Sequence, residues 1–238
     1  MDFVTPFTDP ANVARYAGET PQRVPGFDDL HRMAMLLLAE YATEKANILV
    51  LGAGGGLELR AFAGWQPGWQ FLGVDPSAEM LQLAEEIVEP FIDRVTLQKG
   101  YITHAQAGPF DGATCLLTLH FMTKAERFET LCALRSRLAP GARLVVAHHC
   151  KSDNGQTARE LTRFVAFSGG TKFDFAQAAE SASVMAEKLP LLTPKEEEQL
   201  LLDAGFEDVS MFYAGLSLRG WVAVATGPNA IGSALNIG

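Results

Sequence analysis

Hydrophobic and polar positions change rhythm repeatedly along this chain, and the changes mark the elements. Leu30, Met33, Ala34, Leu37, Leu38 and Tyr41 recur at i, i+3, i+4, i+7, i+8 and i+11, which is one face of a helix. Ile48 to Leu51 is a short, wholly apolar strand, followed by a helical pattern over 56–63. "WQFLGVD" (69–75) reads as a second strand, and "SAEMLQLAEEIVEP" as a helix with Ser77 as N-cap, Met80, Leu83, Ala84 and Ile87 on one face, and Pro90 as its stop. A third strand follows at 94–100 and a fourth at 112–122. Next come a helix closed by Pro140 and Gly141 and a fifth strand at 142–150. Apolar strands alternating with helices predict βαβ units, hence a parallel sheet covered on both faces.

The rhythm breaks twice. Pro6, Pro10, Pro21 and Pro25 predict an arm over 5–26 that is irregular or only briefly helical. Residues 151–190 read as an insertion with one weakly amphipathic helix, "DFAQAAESASVMAEKL". Alternation resumes with a helix that has Thr193 as N-cap, Pro194 at its first position and Gly205 at its end. The final strands, 208–215 and 218–226, are joined by too few residues for a crossover helix, so they must be antiparallel. The chain thus reads as one domain over 1–226, with an N-terminal arm (1–44), the insertion as a cover, and a Gly- and Asn-containing flexible tail at 227–238.

Composition narrows the function little. The 238 residues are 48% hydrophobic and 20% charged, with a formal net charge of -9. That charge argues against non-specific nucleic-acid binding. Three cysteines, Cys115, Cys132 and Cys150, match no metal spacing and read as thiols of a reducing compartment. Residues 1–25 lack a basic segment followed by an apolar one, and no apolar run is long enough to span a bilayer, so the expectation is a cytoplasmic protein without membrane contact. Oligomeric state is not legible.

The chemistry concentrates at "NILVLGAGGGLELRAFAG" (47–64). A strand, a glycine turn and a helix bring backbone N–H groups and a helix N-terminus toward a ligand. Asp75 ends the next strand, 23 residues after Gly52, where a carboxylate accepts hydrogen bonds from both hydroxyls of a ribose. Gly52, Gly54 and Gly56 give G-x-G-x-G, and Leu57 stands where a dinucleotide fingerprint has its third glycine.

Here the chain resembles the class I S-adenosylmethionine (SAM) dependent methyltransferases. "VLGAGGG" is similar to their first motif, "GVDPSAEML" to their second and "LLTLHFM" to their fourth-strand segment. "LAPGARLVVAHH" is similar to their turn into the fifth strand. The resemblance covers about 45–150 and 193–226. It implies an α/β, doubly wound, Rossmann-like fold with a seven-stranded, mostly parallel sheet, order 3-2-1-4-5-7-6, the last strand antiparallel. It implies SAM as cofactor, S-adenosylhomocysteine as product, and a small-molecule methyl acceptor. The cofactor contacts it implies are Gly52, Ala53, Gly54, Asp75, Pro76, Met80, Gly100 and Leu117, with Tyr101 and Ile102 flanking the adenine. "RVPGFDDLHRMAMLL" is similar to the same segment in the bacterial group containing the tRNA-modifying carboxy-SAM synthase, which brings Phe27 over the ligand.

Two departures qualify it. Val50 stands where these enzymes often carry an acidic residue, so one polar anchor near the methionine end is missing. Residues 176–192 contain Lys188 but no arginine to hold an extra carboxylate, so ordinary SAM is expected. His120 is read as a wall of the site or a general base, or else as a packing histidine. Arg32, Arg219 and Trp221 are read as facing the substrate, against a default of ordinary surface or strand positions. His148 and His149 are adjacent on a strand and so point to opposite faces; no metal is expected. A non-catalytic SAM-binding protein and a nicotinamide-dependent oxidoreductase are the alternatives.

Overall fold

A computed structural model describes residues 7–170 and 173–227. The elements in chain order are α1 (Pro10–Arg23), α2 (Phe27–Ala39), β1 (Asn47–Leu51), α3 (Leu57–Trp65), β2 (Gln70–Asp75), α4 (Ala78–Ile87), β3 (Val95–Lys99) and β4 (Phe110–Leu116). They continue as α5 (Lys124–Arg135), β5 (Leu138–His149), α6 (Thr157–Ser168), α7 (Phe175–Lys188), α8 (Pro194–Asp203), β6 (Phe206–Gly215) and β7 (Leu218–Ala225). The sheet order is β3-β2-β1-β4-β5-β7-β6, with β7 antiparallel to both neighbours, as the resemblance implies.

The alternation along β1 shows how the sheet is buried. Ile48 and Val50 pack with Leu30, Leu38, Phe62 and Phe71 on one face. Leu49 and Leu51 pack with Cys115, Leu131, Leu144 and Trp221 on the other. Among the described residues no helix is long and apolar enough to cross a membrane. The tail expected to be frayed lies, from residue 228, outside the described residues.

Four expectations need correcting. The arm is not irregular: α1 runs for 14 residues. Asp9 caps it, accepting from the N–H groups of Ala11 (2.9 Å) and Asn12 (3.0 Å), and Pro10 sits at its start, where no N–H is needed. Pro21 falls near the end, only two residues before the helix stops, and α1 packs against α2, α4 and α6. The fourth strand ends at Leu116, because Leu117 takes a left-handed conformation (φ 56°) and a short 3-10 turn follows at Leu119–Phe121. The insertion holds two helices, α6 and α7, packed on each other through Leu161 and Ala182. The helix expected to reach Pro140 stops at Arg135, and β5 begins at Leu138, four residues earlier than expected.

Candidate functional site

The site forms at the carboxyl ends of β1, β2 and β4, where the strand order reverses between β1 and β4. Gly52 and Ala53 donate to the Val74 carbonyl (2.8 and 3.1 Å), turning the chain off β1. Gly52 has φ 75°, and a Cβ there would lie 2.1 Å from Thr118 Oγ1. A Cβ on Gly56 (φ 81°) would meet the α4 backbone at Ala84 Cα, 2.9 Å away. These two glycines therefore answer to close approach by protein as well as to turn geometry.

Asp75 joins the loop to the next helix. Its Oδ2 accepts from Gly54 N–H and its Oδ1 from Ser77 N–H, both at 2.9 Å. Burial pushes its carboxyl above the usual range, while those two N–H bonds act in the opposite direction. Ser77 caps α4 through Met80 N–H (3.1 Å) and donates to the Phe7 carbonyl (2.7 Å), anchoring the start of the arm.

A cavity of about 320 Å³ opens here. Gly52, Ala53, Gly54, Asp75, Pro76, Met80, Gly100, Tyr101, Ile102, Leu117 and Phe27 all line it, so the expected cofactor contacts come together in one place. Sequence reasoning missed Phe7, Tyr16, Glu58, Ser77, Thr118 and Phe121, which line it too. Tyr16 reaches over the glycine turn from α1, and burial, with Asp75 and Glu58 nearby, raises its phenol above the usual range. The signal for Glu58 was position: it lies in the first turn after the glycine loop.

A second cavity of about 440 Å³ adjoins the first. It shares Phe7, Tyr16, Met80, Leu117 and Phe121 with it and adds Arg15, Phe164, Leu218, His120 and His149. His120 lines this second cavity and not the first. Its ring lies 4.9 Å from that of His149, which packs edge-on to Phe164 at 4.4 Å and places Nδ1 2.9 Å from Ser217 Oγ. Burial lowers His149 to about 3, and burial and the neighbouring histidines hold His120 well below its ordinary value. Both imidazoles are neutral at physiological pH.

Other expected contacts fall elsewhere. Arg32 is on the exposed face of α2 and lines neither cavity. Arg219 pairs with Glu160 of α6 at 3.1 Å and donates to the Leu218 carbonyl at 2.8 Å, so it ties the insertion to β7. Trp221 is fully buried, its indole N–H donating to Glu198 at 3.0 Å. His148 and His149 do point to opposite faces, but His148 shares its face with Cys150 and meets Glu197 of α8. The ligand atoms of these three lie within 4.8 Å of one another. Glu197 is already paired with the buried guanidinium of Arg127, a cation where a metal would need to sit.

Residues 49–144 match the family model described as "Methyltransferase domain". The chain is 24% identical over 194 residues to the carboxy-S-adenosyl-L-methionine synthase of Campylobacter hominis, covering 80% of this chain and 82% of that one. It is 25% identical over 229 residues to that of Chromohalobacter salexigens, covering 94% and 85%. The fold is shared with human N-acetylserotonin methyltransferase solved with SAM (TM-score 0.64, 15% identity, 94% of this chain and 59% of that one). It is also shared with an O-methyltransferase family protein of Burkholderia thailandensis (0.61, 16%, 90% and 62%). The chain thus spans about three-fifths of those two structures. The matched domain model spans the first half of the sheet, and the likeness to these two structures is one of fold.

Proposed function

We propose that SAM occupies the first cavity and that its methyl group passes to a small, largely apolar acceptor in the second. The observation that carries this reading is the shared wall: Met80, Leu117, Tyr16, Phe121 and Phe7 border both spaces, so a ligand in each would meet there. The ribose falls to Asp75, the adenine to Tyr101 and Ile102, and Phe27 closes over the ligand.

Methyl transfer from a sulfonium is an in-line displacement. The acceptor's lone pair forms the new bond to carbon, the C–S bond breaks, and its electron pair stays on sulfur, leaving S-adenosylhomocysteine. Positioning and exclusion of water do most of this work. Neutral His120 and His149 orient the acceptor; with basicity lowered by burial, they suit an acceptor whose proton is lost late or to solvent. Phe121, Phe164 and Phe7 favour a flat body, while Arg15, Glu19 and Arg23, paired with one another along α1, give the cavity a polar side.

The test is a thermal-shift series with SAM, S-adenosylhomocysteine, NAD and NADP, followed by an acceptor panel scored by S-adenosylhomocysteine release. A ligand at a hundred times its Kd stabilises by about 2.7 kcal/mol. A shift with NAD and none with S-adenosylhomocysteine overturns the reading. Binding without turnover on any acceptor favours a SAM-binding protein that does not catalyse.

A further inference from the structure

The second cavity holds a hydrogen-bond donor that the fold sets in place. Ser217, in the two-residue turn between β6 and β7, is fully buried, and its Oγ lies 2.9 Å from His149 Nδ1. The backbone fixes the pair: the Ser217 carbonyl accepts from Cys150 N–H (2.9 Å), and His149 is registered across from Leu218. The hydroxyl has no other hydrogen bond among the described residues, so it donates to Nδ1; otherwise its proton would be buried unpaired. An imidazole that accepts at Nδ1 carries its proton on Nε2. That Nε2 is hydrogen-bonded to no described residue, and it is not sealed from the cavity that His149 lines.

We propose that His149 Nε2–H holds an ionised oxygen of the acceptor, that Ser217 is the positioning residue which sets this tautomer, and that the acceptor is an acidic oxygen compound, a phenol, enol or carboxylic acid, methylated as its anion. The assignment rests on SAM filling the first cavity. The charged groups in the lining of the second are Arg15 and Arg23 against Glu19, a net positive charge of one, which suits an anion. None of the titratable groups around His149 is placed to take a proton from an alcohol or an ammonium. His120, from the turn after β4, is held neutral by burial, as is His149 itself. Tyr16, from α1, has its phenol raised and keeps its proton. Glu19 sits between the two arginines, and His148, on the other face of β5, meets Glu197 instead. An oxygen that has already lost its proton to solvent needs no base. One of its lone pairs accepts from Nε2–H and another forms the new O–C bond. The C–S pair stays on sulfur, and anion and sulfonium leave as two neutral centres.

Two measurements on the full chain test this. Nitrogen NMR of the imidazoles at neutral pH, without ligand, reads the tautomer. His149 should be the Nε2–H form in the wild-type chain and a mixture of forms in Ser217→Ala. A wild-type Nδ1–H form overturns the proposal, and that result requires no variant to fold. The second measurement titrates 4-nitrophenol into the chain loaded with S-adenosylhomocysteine and follows the yellow phenolate. The wild-type chain should bind the phenolate and draw its ionisation to lower pH, and His149→Phe should bind it at least tenfold more weakly. Dye bound as the neutral phenol, or held no better by the wild-type chain than by His149→Phe, overturns the assignment. Competition separates the anions: displacement of the dye by benzoate extends the site to carboxylates, and dye that benzoate leaves in place restricts it to phenolates and enolates. Benzyl alcohol or benzylamine displacing the dye as well as benzoate does would overturn the proposal. A chain that does not bind S-adenosylhomocysteine refutes the SAM reading instead, while the tautomer still decides the role of Ser217.

Discussion

The Gly54 N–H donates to Asp75 Oδ2 across 2.9 Å, so the residue expected to hold a ribose also holds the glycine turn. One carboxylate serves both because its other oxygen takes Ser77 N–H and the whole group is buried. Asp75→Ala therefore removes a ligand anchor and two charge-assisted bonds within the fold. SAM affinity should fall by roughly 1.5 to 3 kcal/mol, and stability by an amount of similar order. Calorimetry and urea melts measure the two losses separately. Full affinity in a fully stable variant shows that the anchor is misassigned.

Gly52→Ala tests the turn itself. The new methyl group enters a left-handed backbone and meets Thr118 Oγ1 at 2.1 Å and Cγ2 at 2.9 Å. Two costs add: about 1 to 2 kcal/mol for the backbone and a steric cost at Thr118. Gly52→Ala with Thr118→Ala should recover the second and not the first. A melting series over the two single variants and the pair reads this directly; a pair as stable as Thr118→Ala alone would show that the backbone is not strained by the methyl group.

Stability against pH has two opposing contributions. His31, His120 and His149 are buried and stay neutral, His31 being lowered to about 4 and His149 to about 3. The unfolded chain takes up protons below 6.5 that the fold does not, so stability falls as pH drops through that value, by about 1 kcal/mol per histidine at pH 5.5 relative to pH 7. Glu58 works the other way. Its carboxyl is raised from 4.5 to about 7, so its contribution is full below 4.5 and is lost as pH rises through 7. The histidines outweigh it between 7 and 5.5, giving a net loss on the order of 2 kcal/mol. Urea melts at the two pH values should show that loss, and Glu58→Gln should enlarge it. A stability that rises toward pH 5.5 contradicts the neutral histidines.

The centre of the sheet was legible because β1 and β2 are short apolar runs bounded by turn residues, with side chains alternating between two faces as the period of two requires. The first cavity was legible for a related reason: Gly52, Gly54 and Asp75 sit at strand ends, so their order along the chain fixes their place in space. The second cavity was not. His149 and Phe164 are 15 residues apart and meet only because α6 folds back over β5. Arg219 was misread because its partner, Glu160, lies 59 residues away on a helix that the pattern did not reveal. The four prolines hid α1, since Pro10 starts the helix and Pro21 falls close to its end, while tertiary packing holds the rest.

Residues of both the arm and the insertion border the two cavities. From the arm, α1 supplies Tyr16 to both spaces, and Phe7 is pinned to α4 by the Ser77 hydroxyl. From the insertion, α6 supplies Phe164 to the second space, and Ser168 Oγ donates to the Arg23 carbonyl at the end of α1 (2.9 Å). The arm and the insertion thus meet at that bond, the arm held at Ser77 just past β2 and α6 held to β7 through Arg219. A ligand in the first cavity touches the Tyr16 wall directly and the Phe164 wall only through α1. Hydrogen exchange with S-adenosylhomocysteine should therefore slow amides in 10–23 strongly and in 157–168 more weakly, beyond the protection of the glycine turn. Arg219→Ala frees Glu160 and loosens α6 from β7, so it should lower protection in 157–168 and leave 10–23 and the affinity for S-adenosylhomocysteine unchanged. If the ligand protects only residues 50–80 and 98–120, neither helix acts as a cover, and the acceptor must be selected by another surface.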